Sequence, residues 1–413
     1  MSSEIKYHVV DNKIVQNFTI KQIFEENWYA FTSEMEKQGK LIRLTILQEV
    51  EKIIGCQNPD KGFALYTCPT CHVQKRVPFT CKSRFCNCCG AKYSKDRALA
   101  MSSVLLKCPH RHVVFTIPEA LRKYFAFDRG LLNLLFDAAF ETISYRFNSR
   151  NKSENYVPGM VCVLHTFGRD LKFNPHIHMI LCEKAIGNSR VWKTFSHINY
   201  EGLRRSWQFS LLKLLNGRIP SPSFKALTDK LYADHNLGFY VYAPPIKNFF
   251  AGVINYIVRY AGRPVLAQSR ITNYDRDNKS ITFTYTPHGS DKLVSETLSV
   301  FDFIKKLIIH IPERHFKMIR YFGFYCKRNS MRDQYLLHAK RLEPSELAKM
   351  KHIYSRWRSR IRHSFNHDPI KCIYCGSFLE LTEIFCDPRK IKYYFSVYNR
   401  WTDPYLERLD NRA

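Results

Sequence analysis

Apolar residues recur near every third and fourth position in FEENWYAFTSEMEKQ and LIRLTILQEVEKIIG, so residues 13–54 read mostly as helix. The period then changes. RHVVFTIP (111–118) predicts a strand closed by Pro118, and RGLLNLLFDAAFETISYRF (129–147) predicts a helix. MVCVLHTF (160–167) and HIHMILC (176–182) predict two strands joined by the polar turn GRDLKFNP. Helices are expected near 200–215 and 224–233, and FFAGVINYIVRYAG (249–262) predicts a helix stopped by Gly262 and Pro264. ITNYDRDNKSITFTYT predicts a hairpin turning at DRDN. No internal repeat or low-complexity tract interrupts this order.

Composition narrows the partner. The chain has 413 residues, enough for two to four domains, and its 45% hydrophobic content suits a folded protein. Lys and Arg number 64 against 36 Asp and Glu, a formal charge of +28. Fold requirements do not explain that excess; a polyanion does, and nucleic acid is the first candidate. An anionic membrane is the competitor, but no basic cluster sits beside an apolar span, so no membrane partner is expected. The opening MSSEIKYHVVDNKIVQ carries charges inside each apolar run, unlike a signal peptide, so a cytosolic protein is expected. Its fourteen cysteines then read as thiols and metal ligands rather than disulfides.

Two C-x2-C knuckles, Cys68/Cys71 in CPTC and Cys86/Cys89 in CNCC, predict one tetrahedral zinc site of four thiolates. Cys56, Cys81 and Cys88 are left over; Cys81 or Cys88 could replace one of the four, and Cys56 could serve a second metal. Lys75, Arg76, Lys82 and Arg84 between the knuckles suit phosphate contact. A further pair, Cys372 and Cys375 in KCIYCG, has no obvious partner knuckle; Cys386, His363 or His367 could complete a site there.

In a strand, alternate side chains share a face, so His176 and His178 of NPHIHMI point the same way and Ile177 the other. Two such imidazoles can hold a metal with open positions, which suits Lewis-acid work. His165 on the preceding strand could approach as a third ligand. In NYIVRYAGRP, Tyr256 and Tyr260 share a helix face, with Asn255, Arg259 and Arg263 around them. A core aromatic stripe would read the same way, but the arginines suit a phosphate-facing pair better. A phenol is a poor nucleophile unless its charge is stabilised and its target polarised, which an arginine and a histidine-bound metal could do. The resulting phosphotyrosine ester would conserve the phosphodiester's energy.

HVVFTIP, LHTFGRDLKFNPHIHMI and YIVRYAGRP occur in this order after FTCKSRFCNCCG. Together they resemble the HUH-superfamily rolling-circle transposases of bacterial insertion sequences, in the two-tyrosine branch. The resemblance spans roughly residues 56–330, with RITNYD and FIKKLIIHIPERHFKMIRYFG included. It implies an α+β fold: a central antiparallel HUH sheet with flanking helices, preceded by a helical and zinc-ribbon domain and followed by a basic helical region. The corresponding domains are 1–100, 105–330 and 331–413. It also implies nicking and joining of single-stranded DNA at transposon ends in the bacterial cytosol, with a host helicase as a candidate partner. By the same resemblance His176 and His178 fall on the metal-binding pair, Tyr256 and Tyr260 on the tyrosine pair, and Cys68, Cys71, Cys86 and Cys89 on the zinc cysteines. The nuclease metal would be Mg or Mn, and either tyrosine or both could act.

EPSELAKMKHIYSRWRSRIRH (343–363) predicts a helix with Arg356, Arg358 and Arg360 off its apolar stripe, suited to DNA backbone contact. Two other readings compete with a transposase. A non-catalytic zinc-ribbon regulator explains the charge and cysteines but not the histidine and tyrosine pairs. A replication initiator or relaxase would share the nicking chemistry.

Overall fold

The computed structural model describes residues 18–90, 93, 101, 105–106, 108–149, 151–245, 265–287, 289–326, 358, 362 and 368–386, together with the backbone of strands β1 (Tyr7–Val10) and β2 (Lys13–Gln16). The fold is α+β with antiparallel sheets. After the β1–β2 hairpin come two helices, α1 (Ile20–Lys37) and α2 (Leu44–Ile54); the apolar spacing predicts both, but strand β2 takes Lys13–Gln16 out of the stretch expected to be helical. Thr19 caps α1 by accepting from the Gln22 amide at 3.0 Å, which satisfies one of the orphan donors of the first turn.

A hairpin the periodicity did not reveal follows, β3 (Phe63–Thr67) and β4 (Gln74–Pro78). The chain then builds its largest sheet from β5 (His110–Phe115), β6 (Val157–Phe167), β7 (Phe173–Ile186), β8 (Trp192–Thr194) and β9 (Val241–Tyr242). Between these strands lie α3 (Glu119–Phe127), α4 (Leu132–Asn148), α5 (Tyr200–Arg218) and α6 (Pro222–Asp234). A second sheet, β10 (Ile271–Asp275), β11 (Ser280–Tyr285) and β12 (Val294–Ser299), runs into α7 (Val300–Ile308). Finally β13 (Ile319–Phe322) returns to the edge of β6, and β14 (Glu380–Phe385) pairs with β3.

In the large sheet the order is β13-β6-β7-β5-β9, with β8 also on β7. The β6–β7 turn is tighter than the sequence suggests, because β7 begins at Phe173. Strand alternation divides the side chains. Val113, Phe115, Met160, Cys162, Leu164, Ile177, Met179 and Leu181 pack against α3 to α6 in the main core. Trp207 of α5 sits on Phe115 with ring centroids 4.8 Å apart and donates its Nε1–H to the Thr116 carbonyl at 2.7 Å. The opposite face carries Val161, Val163, Ile180 and Cys182 under Leu105, Leu106, Phe324 and Tyr325.

A separate core joins parts of the chain distant in sequence. Trp28, Phe31, Ile46 and Val50 of α1 and α2 pack with Ile281 and Phe283 of β11 and with Phe303 and Ile304 of α7. Polar bonds pin the same junction: Asn27 donates to the Tyr274 hydroxyl at 2.7 Å, which donates to Glu26 at 2.7 Å. Among the described residues no helix is long and apolar enough to cross a membrane.

Candidate metal centres

The hairpin geometry decides how the cysteines sort. Cys68 and Cys71 occupy the tip of the β3–β4 hairpin, between Thr67 and Gln74. Cys56 and Cys81 flank its base, and five residues of extended strand put roughly 17 Å between tip and base. The expected quartet of Cys68, Cys71, Cys86 and Cys89 therefore does not form. Cys86 and Cys89 instead join Cys56 and Cys81, and Cys68 and Cys71 join Cys372 and Cys375; within each group the sulfurs lie within 4.8 Å of one another. The third pair thus has a partner knuckle after all, and Cys386 lies outside that group, while His363 and His367 fall outside the described residues.

In the first quartet, Cys56 Sγ lies 3.6 Å from Cys89 Sγ and 3.8 Å from Cys86 Sγ, and Cys81 Sγ lies 3.6 Å from Cys89 Sγ. Four sulfurs about 2.3 Å from a tetrahedral zinc stand about 3.8 Å apart, so the spacing fits that ion. Backbone N–H groups of Cys81 and Ser83 point at the sulfurs of Cys56 and Cys81, at 3.5 and 3.4 Å. Hydrogen bonds from Cys81 and Cys86 hold the Cys89 thiol far below its ordinary range, while the Cys81 thiol, bonded to Cys86 and Cys89, is pushed up. A divalent cation binding there would displace the thiol protons. Three of these cysteines, Cys56, Cys86 and Cys89, belong to the core that holds α1, α2 and α7 together.

The histidines sit on the second face of the large sheet. His165 of β6 lies directly opposite His176 of β7, and His178 lies between Val163 and Val114. Alternation therefore brings all three imidazoles to one face, and their ligating nitrogens lie within 4.8 Å of one another. His176 Nε2 and His178 Nε2 are 3.0 Å apart, about the separation of neighbouring ligands on a six-coordinate ion at roughly 2.1 Å. His176 donates its Nδ1–H to the Asn174 carbonyl at 2.7 Å, which directs the Nε2 lone pair into the cluster, the usual arrangement behind a metal-bound imidazole. Burial lowers the His176 pKa; burial and the neighbouring imidazoles His165, His176 and His112 lower that of His178 further. Both are neutral at pH 7, as metal ligands must be.

His112 of β5 was not singled out by the sequence. Its ring stacks on His178 at 5.5 Å, with Nε2 3.2 Å from His178 Nδ1. The strand periodicity of RHVVFTIP carried the signal, since residues paired across two strands share a face. Cys108, His110 and Cys182 form another group further along this face, but His110 already bonds the Cys108 carbonyl and the Tyr325 hydroxyl, both at 2.7 Å.

Tyr256, Tyr260, Arg259, Arg263, Arg356 and Arg360 lie outside the described residues. Lys82 is exposed; Arg84 is half-buried, its guanidinium 5.3 Å from the Phe85 ring centre. Arg358, expected at DNA, is engaged internally: its Nε and Nη2 donate to both carboxylate oxygens of Asp368 at 2.6 to 3.1 Å.

Two family models match the chain. Residues 23–117 match the "Transposase zinc-binding domain" of IS91-type elements, and residues 159–334 match the family described as "Putative transposase" (Y2_Tnp). The "Transposase for insertion sequence element IS801" of Pseudomonas savastanoi pv. phaseolicola is 29% identical over 377 residues, covering 88% of this chain and 89% of that protein. The "Putative transposase y4qJ" of Sinorhizobium fredii is 26% identical over 345 residues, covering 76% and 84%. No solved structure matches at a significant level. Zinc-domain match, transposase-domain match and near full-length similarity agree on a transposase of the IS91/IS801 type that carries an N-terminal zinc-binding domain.

Proposed function

We propose that this transposase cleaves and rejoins single-stranded DNA at transposon ends through a 5′-phosphotyrosine intermediate. Tyr256 and Tyr260 are the nucleophiles, and His165, His176 and His178 hold Mg or Mn. The observation that carries the reading is the convergence of three imidazoles on one strand face. When bound there, the ion polarises a non-bridging oxygen of the scissile phosphate.

The phenolic oxygen attacks phosphorus, the bond from phosphorus to O3′ breaks, and the 3′ oxygen takes up a proton as the phenol's proton passes to solvent. A phenol with a pKa near 10 needs its developing charge neutralised, and Arg259, between the tyrosines, and Arg263, just after them, suit that role. The ester keeps the energy of the broken linkage, so a second tyrosine or the free 3′-OH can reseal without ATP. The described anchors of the tyrosine segment support the assignment. The chain before it is described as far as Pro245, bridged to Arg111 of β5, and the chain after it from Val265, in the core that also holds Leu171 of the β6–β7 turn. Arg270 then donates to the Arg169 carbonyl of that turn at 2.5 Å, so the described chain after the tyrosines lies beside the turn that joins the two histidine strands.

The zinc domain binds structural zinc, and we assign that ion to Cys56, Cys81, Cys86 and Cys89. In this reading exposed Lys82, with neighbouring Arg84, meets the DNA backbone, and a host helicase supplies the single strand.

The test is a denaturation-resistant adduct between protein and a labelled single-stranded transposon end, formed with Mn and absent without it. Tyr256→Phe or Tyr260→Phe should weaken it and the double change should abolish it. An adduct that survives both changes refutes the tyrosine assignment.

A further inference from the structure

We propose that Cys68, Cys71, Cys372 and Cys375 form a second tetrathiolate zinc site, which clasps a distal segment of the chain onto the N-terminal zinc domain. Neither matched family region contains Cys372 or Cys375, since one ends at 117 and the other at 334. The inference goes beyond strand cleavage and does not depend on it.

The sulfur positions suit a single ion. Cys68 Sγ lies 3.3 Å from Cys375 Sγ, and Cys71 Sγ lies 3.5 Å from Cys372 Sγ. Each short distance crosses between knuckles, so the two pairs face each other as the halves of one tetrahedron do.

The backbone supplies an independent observation, because the two knuckles are copies of each other. In the first, the His72 amide donates to the Cys68 carbonyl at 3.0 Å and the Cys68 amide to the Val73 carbonyl at 2.9 Å. In the second, the Gly376 amide donates to the Cys372 carbonyl at 3.1 Å and the Cys372 amide to the Ser377 carbonyl at 2.8 Å. The offsets are identical. In both, the residue after the second cysteine is left-handed, His72 at φ 56° and Gly376 at φ 77°. Glycine adopts that conformation freely and histidine at a cost, so the turn at His72 is one the surroundings must hold. Two preformed thiolate pairs meeting at their sulfurs are what a closed structural zinc site requires.

The rest of the contact is built around that meeting. Strand β14 adds to the free edge of β3, from Glu380 opposite Thr67 to Phe385 opposite Phe63. The Phe63 and Phe385 rings stack at 4.7 Å, Thr70 donates to the Ser377 hydroxyl at 2.9 Å, and Lys75 Nζ donates to the Pro369 carbonyl at 3.0 Å. Yet the outer strand is thinly covered: every residue of β14 is exposed, so little apolar burial holds it. A short strand with so little buried surface is marginal alone. A metal shared across 301 to 307 residues of sequence supplies the missing restraint and places the second segment beside the basic hairpin of the zinc domain.

Zinc counting on the full-length chain tests this. Native mass spectrometry should find two zinc ions per chain, Cys372→Ser with Cys375→Ser should leave one, and Cys68→Ser with Cys71→Ser should also leave one. Combining all four changes should still leave one, because both pairs share an ion. Retention of both ions in either double variant, loss of two in the combined variant, or iron in place of zinc would overturn the site. The unaltered chain gives a second readout that folding defects cannot confuse. During stepwise chelation under an alkylating agent, Cys68, Cys71, Cys372 and Cys375 should lose protection together. Immediate labelling of Cys372 and Cys375 while Cys68 and Cys71 stay protected would defeat the proposal. Neither readout measures strand cleavage, so a failed nicking assay leaves this result intact.

Discussion

The histidine face and the cysteine quartets use ligands in opposite ways. The histidines stand on two strands of one hairpin, eleven residues apart at His165 and His176, and regular register delivers them to one side. The cysteines of each quartet come from irregular turns whose partners lie 8 to 33 residues away in one case and 301 to 307 in the other. A metal held by the first arrangement would keep coordination positions open, as one acting on substrate needs; one held by the second would sit in a closed tetrahedron, as one holding a fold needs. The lesson is that ligand spacing predicts a site well when one regular element carries the ligands, and poorly when knuckles can exchange partners.

That contrast can be broken most directly by removing one ligand of each kind. His178→Ala should lower adduct formation by at least about 10²-fold, with the thermal transition nearly in place. Cys86→Ser should release zinc and lower the melting temperature by more than about 10 °C, since a structural zinc contributes many kcal/mol and Cys86 lies in the core with Trp28 and Phe303. Calorimetry beside the adduct assay separates them; equal thermal losses would erase the distinction between open and closed sites.

A smaller effect distinguishes imidazoles at the metal face from one that is purely structural. His310 is fully buried, donates its Nε2–H to the Leu171 carbonyl at 3.1 Å and accepts at Nδ1 from the Thr166 hydroxyl at 3.1 Å, and burial lowers its pKa to about 4. The unfolded value is about 6.5, so between these values the unfolded chain takes up a proton that the folded chain refuses. Its stabilising contribution is complete above about pH 6.5 and is lost as the pH falls towards 4, by up to about 3 kcal/mol. Urea midpoints of His310→Gln should fall less steeply across that window than those of the parent; an unchanged slope would exclude His310.

The smallest effects concern surface cations. Lys82→Ala should reduce the slope of log affinity against log salt by about 1. Arg358→Gln should leave that slope alone, because its charge is spent on Asp368, whose carboxyl its hydrogen bonds hold below the usual range. A drop in salt slope for Arg358→Gln would return that residue to the DNA.

Much of this is legible in the order of residues alone. The helices of residues 20–54, the strands around His165 and His176, and the hairpin turning at 276–279 all follow from period and turn residues. The short β3–β4 and β14 strands are not, because half-exposed five- or six-residue segments carry almost no periodic contrast. The same absence hid the partner of Cys372.

What the sequence determined alone was therefore local: which side chains share a strand face, which segments coil, which cysteines form knuckles, and a charge of +28 that needs a polyanion. Only the tertiary structure decided that Cys81, and not Cys68, stands with Cys86, and that α1 and α2 bury their stripes against β11 and α7. The physical reason is that an apolar stripe or a thiolate pair specifies what kind of partner it requires but carries no address. The address is set by where a hairpin of five-residue strands and the packed core hold each end of the chain.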